Sequence, residues 1–348
     1  MLLGKSKEMQ ARIAKHKQDI ADIAKTLPKG KKAIIGVSRE TQFNLYYPTP
    51  ISAWETLQAF IGLDDELVQI TILDLRLPRA LVAIAMGANL AVAGALLQTI
   101  TRNPLASPSL LSVNAGASLA MVTATAVMPS FFSGYSIAFI SSIGGGLSWL
   151  LVMLISGGWH AGAERNRVIL AGIAVSLFCA ALTKLVIIIA EDHAANIMNW
   201  LACGIAHARW GEWWIILPFF VLSLLFCTFF ASQLNLLNLS DESAQSLGVN
   251  LFKLRWMTNI VALLIIGSSV SVAGPVAFIG LLIPHLARYW ISYDLRKMLP
   301  MSMLLGGCLM LIADMLARAV TFPNEIPAGA ILALVGAPVF VLFARGKR

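Results

Sequence analysis

The chain has 348 residues, 58% of them hydrophobic and only 13% charged, with a mean hydropathy of +0.77. So much apolar surface cannot be hidden in the core of a water-soluble domain, which places the chain in the membrane class. The net charge of +8 is concentrated at one end: residues 1–48 hold ten Lys/Arg against four Asp/Glu and contribute +6, while the rest contributes +2, which excludes a basic nucleic-acid surface on the main body.

Lys7 to Leu27 places Ile13, Ile20, Ile23 and Leu27 on one side and lysines elsewhere, which predicts an amphipathic helix. Pro28-Lys29-Gly30 breaks it, and Lys32 to Ser38 predicts a short strand. This reads as a soluble α/β fragment, with a basic helix lying on a membrane surface as the alternative. From Leu77 onward, apolar runs of about 20 residues recur, the length needed to cross a bilayer. They fall at 77–100, 109–128, 132–156, 168–190, 213–232, 254–273, 276–292, 299–320 and 327–344, with the second, seventh and ninth short or interrupted. The expected class is therefore an all-α polytopic membrane bundle of about nine spans, because alternating strand patterning is absent from these runs.

Loop charges predict the orientation. With Arg76 outside, eleven Lys/Arg fall on inner loops, among them Arg102, Arg165, Arg167, Lys253 and Arg255, against four outside. The same orientation puts the ten basic residues of the N-terminal segment outside, where no apolar run of seven or more precedes Leu77 to carry them across. The N-terminal segment and the body therefore make opposing demands.

Five blocks stand in order along the body: Arg76-Leu77-Pro78-Arg79, Asn103-Pro104-Leu105-Ala106-Ser107-Pro108, Ala273 to His285, Ala313-Asp314-Met315-Leu316-Ala317-Arg318, and Ile326-Pro327-Ala328-Gly329 through Gly336-Ala337-Pro338. Through them, residues 46–348 resemble the iron-chelate and cobalamin permease family of ATP-driven importers. Ala190-Glu191-Asp192-His193-Ala194, Trp200-Leu201-Ala202 and His207-Ala208-Arg209-Trp210 are most similar to the members that carry ferric dicitrate. The resemblance implies a multi-pass permease domain of the bacterial inner membrane. Its implied partners are a dimer of ATPase subunits, a second related permease, a periplasmic ferric-chelate-binding protein and the surrounding lipid, with no cofactor and no reaction of its own.

By the same resemblance, Arg76, Arg79 and Arg318 receive acidic residues of the binding protein, a role that suits the forked guanidinium. Snorkelling at the membrane interface is the blander account. Leu239, Ser240, Asp241, Glu242, Ala244, Gln245, Leu247 and Gly248 resemble a loop that couples the permease to its ATPase, read here as two short helical turns stopped at Gly248. The transport path is implied between two permeases, lined by 168–190, a short helix near 195–206 and later spans. The family has ten membrane helices, and here the first is expected to be missing. Ala21 to Gly30 and Ser38 to Leu45 resemble part of a periplasmic ferric-dicitrate-binding protein, so the chain is expected to be a hybrid: 1–45 from that source, 46–348 permease.

Other residues carry competing readings. Asp314 and Arg318, four apart, suit a neutralising intrahelical pair as well as a functional one. Lys184 is close enough to its helix end to snorkel. Glu191, Asp192 and His193 suit a solvated helix end better than a metal site, and His285 after Pro284 a kinked helix better than a proton relay. Cys179, Cys203, Cys227 and Cys308 are far apart and read as small buried hydrophobes. Gly4-Lys5-Ser6 lacks the upstream glycine and strand of a nucleotide-binding loop, so energy must come from a separate ATPase. Two rival functions stand beside the importer subunit: a stand-alone secondary transporter or channel, which predicts ion sites within broken helices, and a non-functional permease remnant.

Overall fold

The computed structural model describes residues 34–36, 44–46, 71–127, 135–157, 165–191, 194–239, 241–320 and 325–345. Two compact units divide the chain, 1–68 and 69–348. In the first, β1 (Ile34–Gly36) pairs antiparallel with β2 (Asn44–Tyr46), Ile34 opposite Tyr46. The strand expected over 32–38 is thus present, and the expected join near residue 45 falls within β2. The helix expected over 7–27 lies outside the described residues.

The second unit is helical. After a π-helical turn at Thr71–Arg76 come α1 (Leu77–Ile100), α2 (Val113–Val127), α3 (Tyr135–Ser156), α4 (Arg165–Ile189), α5 (Ala194–Leu201), α6 (Trp210–Leu236), α7 (Asp241–Ser246), α8 (Leu251–Ala273), α9 (Ile279–Trp290), α10 (Leu295–Val320) and α11 (Ala328–Arg345). Each of the nine expected spans overlaps one of these helices, several of which run a few residues beyond it. Among the described residues, six helical segments are long and apolar enough to cross a membrane by length and composition, Thr71–Ile100 the longest of them. The second, seventh and ninth spans correspond to the shorter α2, α9 and α11, as their interrupted apolar runs predict.

Helix α1 is the axis. Pro78 stands in its first turn, where the missing N–H costs nothing. Beyond it, Ala83, Ala85, Gly87, Ala88, Ala91, Ala93, Gly94 and Ala95 keep the rod thin, and α10, α8, α9 and α6 pack around it. At the tightest crossings a Cβ on Gly94 would lie 1.9 Å from the carbonyl oxygen of Gly280, and one on Gly87 2.2 Å from that of Gly306. Small residues permit this approach, and in lipid the resulting van der Waals contact is what holds helices together. Both buried apolar clusters include α1 residues: Val92, Leu96 and Leu97 join one, Val82, Met86 and Leu90 the other.

Between α8 and α9 the chain leaves helical geometry at Gly274–Phe278, where Gly274 has φ +81° and Phe278 φ +69°. Gly274 and Val276 are buried, and buried irregular backbone is tolerated only where its polar groups find partners. Asn114 donates from Nδ2 to the Val276 carbonyl at 3.0 Å; just beyond, in the first turn of α9, Gln98 donates from Nε2 at 3.3 Å to the Gly280 carbonyl, which Pro284 four residues on has no N–H to meet. Helix α5, the short helix expected near 195–206, is tied to α8 by the Trp200 indole N–H donating to Ser271 O at 3.2 Å.

Candidate functional site

The residues expected at a docking surface and in a coupling loop lie at the two ends of α1. Its 24 residues, at about 1.5 Å each, separate those ends by roughly 36 Å.

At the first end, Arg76 is the N-cap of α1 and is exposed, and Arg79 lies one turn further in. Asp314 sits on α10 with a side chain only 2% exposed, and an ionised carboxylate so placed requires cations. Arg79 reaches it from α1, donating from Nη2 at 2.7 Å and from Nε at 3.1 Å to both carboxylate oxygens. Arg318 meets the same carboxylate from one helical turn away at 3.2 Å. The remaining edge of the Arg79 guanidinium donates to Glu325 at 3.0 and 3.2 Å. Among the described residues, these two guanidinium groups and two carboxylates are thus linked, joining α1, α10 and the segment leading into α11.

The Asp314–Arg318 pair anticipated from spacing is thus present, with two further members that spacing does not reveal. Of the three arginines expected at a docking surface, Arg76 is exposed and Arg318 is 35% exposed, whereas Arg79 is 12% exposed and committed to internal carboxylates. The buried charge of Asp314 is the physical reason. An acidic residue embedded in an apolar run was the signal that a cation from another helix would be drawn to it. Glu325 gave no signal of its own.

At the other end, the chain leaves α1 through Thr101, and Arg102 adopts φ +47°. Its Nε donates to the carbonyl of Leu237 at 2.9 Å, and its Nη2 donates to that of Leu239. These carbonyls follow the C-terminus of α6, where backbone acceptors lose their intrahelical donors. One residue before that terminus, Asn235 donates from Nδ2 to Asp294 at 2.6 Å and accepts from the Leu295 N–H at 2.9 Å, a tie to the start of α10. The N–H of Arg296 and the Asn235 amide hold the Asp294 carboxyl below the usual carboxylate range.

From this root the segment turns outward. Leu239 is 41% exposed and Leu247 63%, Glu242 and Gln245 are exposed, while Ala244 is fully buried and seats α7 on the bundle. The N–H of Gly248 donates to Gln245 O at 2.9 Å with φ +80°, a left-handed stop that glycine adopts without strain. The two short turns anticipated from sequence correspond to the turn at 237–239 and to α7. Ser240 lies outside the described residues, as do Asp192 and His193. Asn235 opens the stretch that resembles the coupling loop, whereas Arg102 and Asp294 were not anticipated as part of this site, although Arg102 directly precedes the Asn103-Pro104 block.

Lys184 is exposed on α4, and His285 is half-buried on α9 beside Pro284.

The FecCD transport family model matches residues 43–346. The chain is 54% identical over 303 residues to the Fe(3+) dicitrate transport system permease protein FecC of Escherichia coli, covering 87% of this chain and 91% of that protein. It is 38% identical over 299 residues to the Fe(3+)-citrate import system permease protein YfmD of Bacillus subtilis, covering 86% and 88%. Among solved structures, an inward-facing metal-chelate type ABC transporter superposes with a TM-score of 0.69 at 31% identity, over 84% of this chain and 96% of that one. This multi-pass membrane chain belongs to the FecCD transport family.

Proposed function

We propose that this chain is the membrane permease subunit of an ATP-driven importer that moves ferric dicitrate across the bacterial inner membrane. The observation that carries the reading is 54% identity to the E. coli ferric dicitrate permease across 91% of its length. The subunit pairs with a second related permease, a dimer of ATPase subunits that hydrolyses ATP, and a periplasmic binding protein that delivers the chelate. The Arg76 end of α1 faces the periplasm and the Arg102 end the cytoplasm, in keeping with the excess of Lys/Arg on the loops at that end.

In this reading Arg76 and Arg318 present positive charge to carboxylates on the binding protein. Arg79 holds Arg318 in place through their common partner Asp314. Leu239, Ser240, Asp241, Glu242, Ala244, Gln245, Leu247 and Gly248 form the contact with the ATPase; the exposure of Leu239 and Leu247 supports this, since apolar side chains beside a polar turn suit a protein cleft better than water. Residues 1–45 are a binding-protein-like fragment preceding the permease domain; the family match beginning at residue 43 supports a join there.

The test is complementation. In a strain lacking its own ferric dicitrate permease but holding the other components, this chain should restore uptake of radiolabelled iron supplied as citrate, and not as a hydroxamate chelate. Absence of citrate-dependent uptake, with the chain present in the membrane and the E. coli protein active in parallel, would overturn the assignment.

A further inference from the structure

We propose that Arg102 is a positioning residue that fixes the ATPase-facing segment 237–248 to α1, so that segment and helix move as one body. This rests on the permease reading above. The backbone of Arg102 occupies the left-handed region at φ +47°, which costs a non-glycine residue roughly 1 kcal/mol and persists where the surroundings over-determine it. The surroundings do so here. Its N–H donates to Thr99 O at 3.3 Å, the Asn103 N–H to Gln98 O at 3.1 Å, and the Asn103 side chain accepts the Leu105 N–H at 3.0 Å.

This conformation carries the guanidinium to two carbonyls, those of Leu237 and Leu239, at the negative end of α6. A planar fork spans two acceptors that a lysine ammonium meets with poorer geometry. Leu237 is 1% exposed and Leu239 is 41% exposed, so the grip falls where the segment leaves the bundle. Asn235 makes the second tie, to Asp294 and Leu295 at the start of α10.

Helices α1 and α10 are therefore joined at both ends: by Arg79–Asp314 near the docking arginines, and through the root of the segment at the other. Between these ties the two helices touch backbone to backbone at Gly87 and Gly306. Such a closed frame transmits displacement of its lower corner to its upper corner instead of absorbing it locally. Arg102 is the member that carries force from the segment into α1.

The experiment compares the full complex containing wild-type chain, Arg102→Gln or Arg102→Lys. ATP hydrolysis is measured with and without binding protein loaded with ferric dicitrate, and backbone hydrogen exchange is followed over 237–248. The Gln variant should lose about tenfold of the stimulation by loaded binding protein, exchange faster at 237–248, and leave exchange around Arg79 unchanged; the Lys variant should regain part of both. Unchanged stimulation in the Gln variant would overturn the proposal. If that variant does not assemble, exchange in the isolated detergent-solubilised chain decides, and equal exchange at 237–248 in both chains counts against Arg102. A wild-type complex without stimulation would defeat the permease reading, while the exchange comparison would still decide whether Arg102 holds the segment.

Discussion

Helices α1 and α4 are similarly apolar, yet 83% of the most apolar stretch of the segment containing α1 (Thr71–Ile100) is buried within the chain and only 22% of that of α4. Hydropathy reports fitness for lipid and is silent about neighbours. Side-chain volume makes the difference. Alanine and glycine dominate the middle of α1, and other backbones close around it. Along α4, Leu177, Phe178 and Ile188 project outward at 67%, 60% and 68% exposure. The first helix organises this subunit; the second offers its surface to lipid, to the transport path or to another subunit.

The strongest way to break the comparison is to remove the charge that α1 contributes to α10. Arg79→Ala leaves the buried Asp314 with Arg318 as its remaining guanidinium and should cost about 3–5 kcal/mol, as expected for an opened buried pair. Thermal unfolding of the detergent-solubilised chain would read this. Arg76→Ala, at an exposed position, should change stability much less and act on binding-protein affinity; equal losses would remove the distinction drawn between the two arginines.

A smaller effect is expected from volume alone. Gly94→Ala introduces a Cβ against the Gly280 carbonyl, and overpacking of this kind costs about 1–3 kcal/mol. Unfolding measurements should show a loss for Gly94→Ala, whereas replacing Gly211, whose Cβ position is open, should show little. The smallest change is expected on the other helix. Leu177→Ala should alter the stability of the isolated subunit by under about 0.5 kcal/mol. If α4 faces a second permease, the same substitution lowers the yield of assembled complex; an unchanged yield would leave lipid or the path as its neighbour.

Much of the fold was legible because its signals are local. Nine apolar runs correspond to nine helices, and the short ones were already short or broken in sequence. Gly248 marked the stop after α7, since a left-handed turn favours glycine wherever it occurs. Asp314 and Arg318 were legible as a pair, being one helical turn apart. Arg79, by contrast, was assigned to the surface from its place in a motif, and the structure turns it inward. Its partners are 235 and 246 residues away in sequence, and no periodicity encodes such a distance. The same holds for Arg102, whose carbonyl acceptors lie 135 and 137 residues further along.

The sequence by itself thus determined the membrane class, the order of the helices in the body and which of them are short, and the stop after α7, because solvent transfer and backbone conformation act over a few residues. The tertiary structure alone decided which of these helices is central, which arginine is consumed by a buried carboxylate, and which holds the exposed segment. Those outcomes depend on which charges and which thin helical faces approach within a few ångströms once the helices pack. In a low-dielectric interior that proximity sets the energies, and it is a property of the assembled bundle.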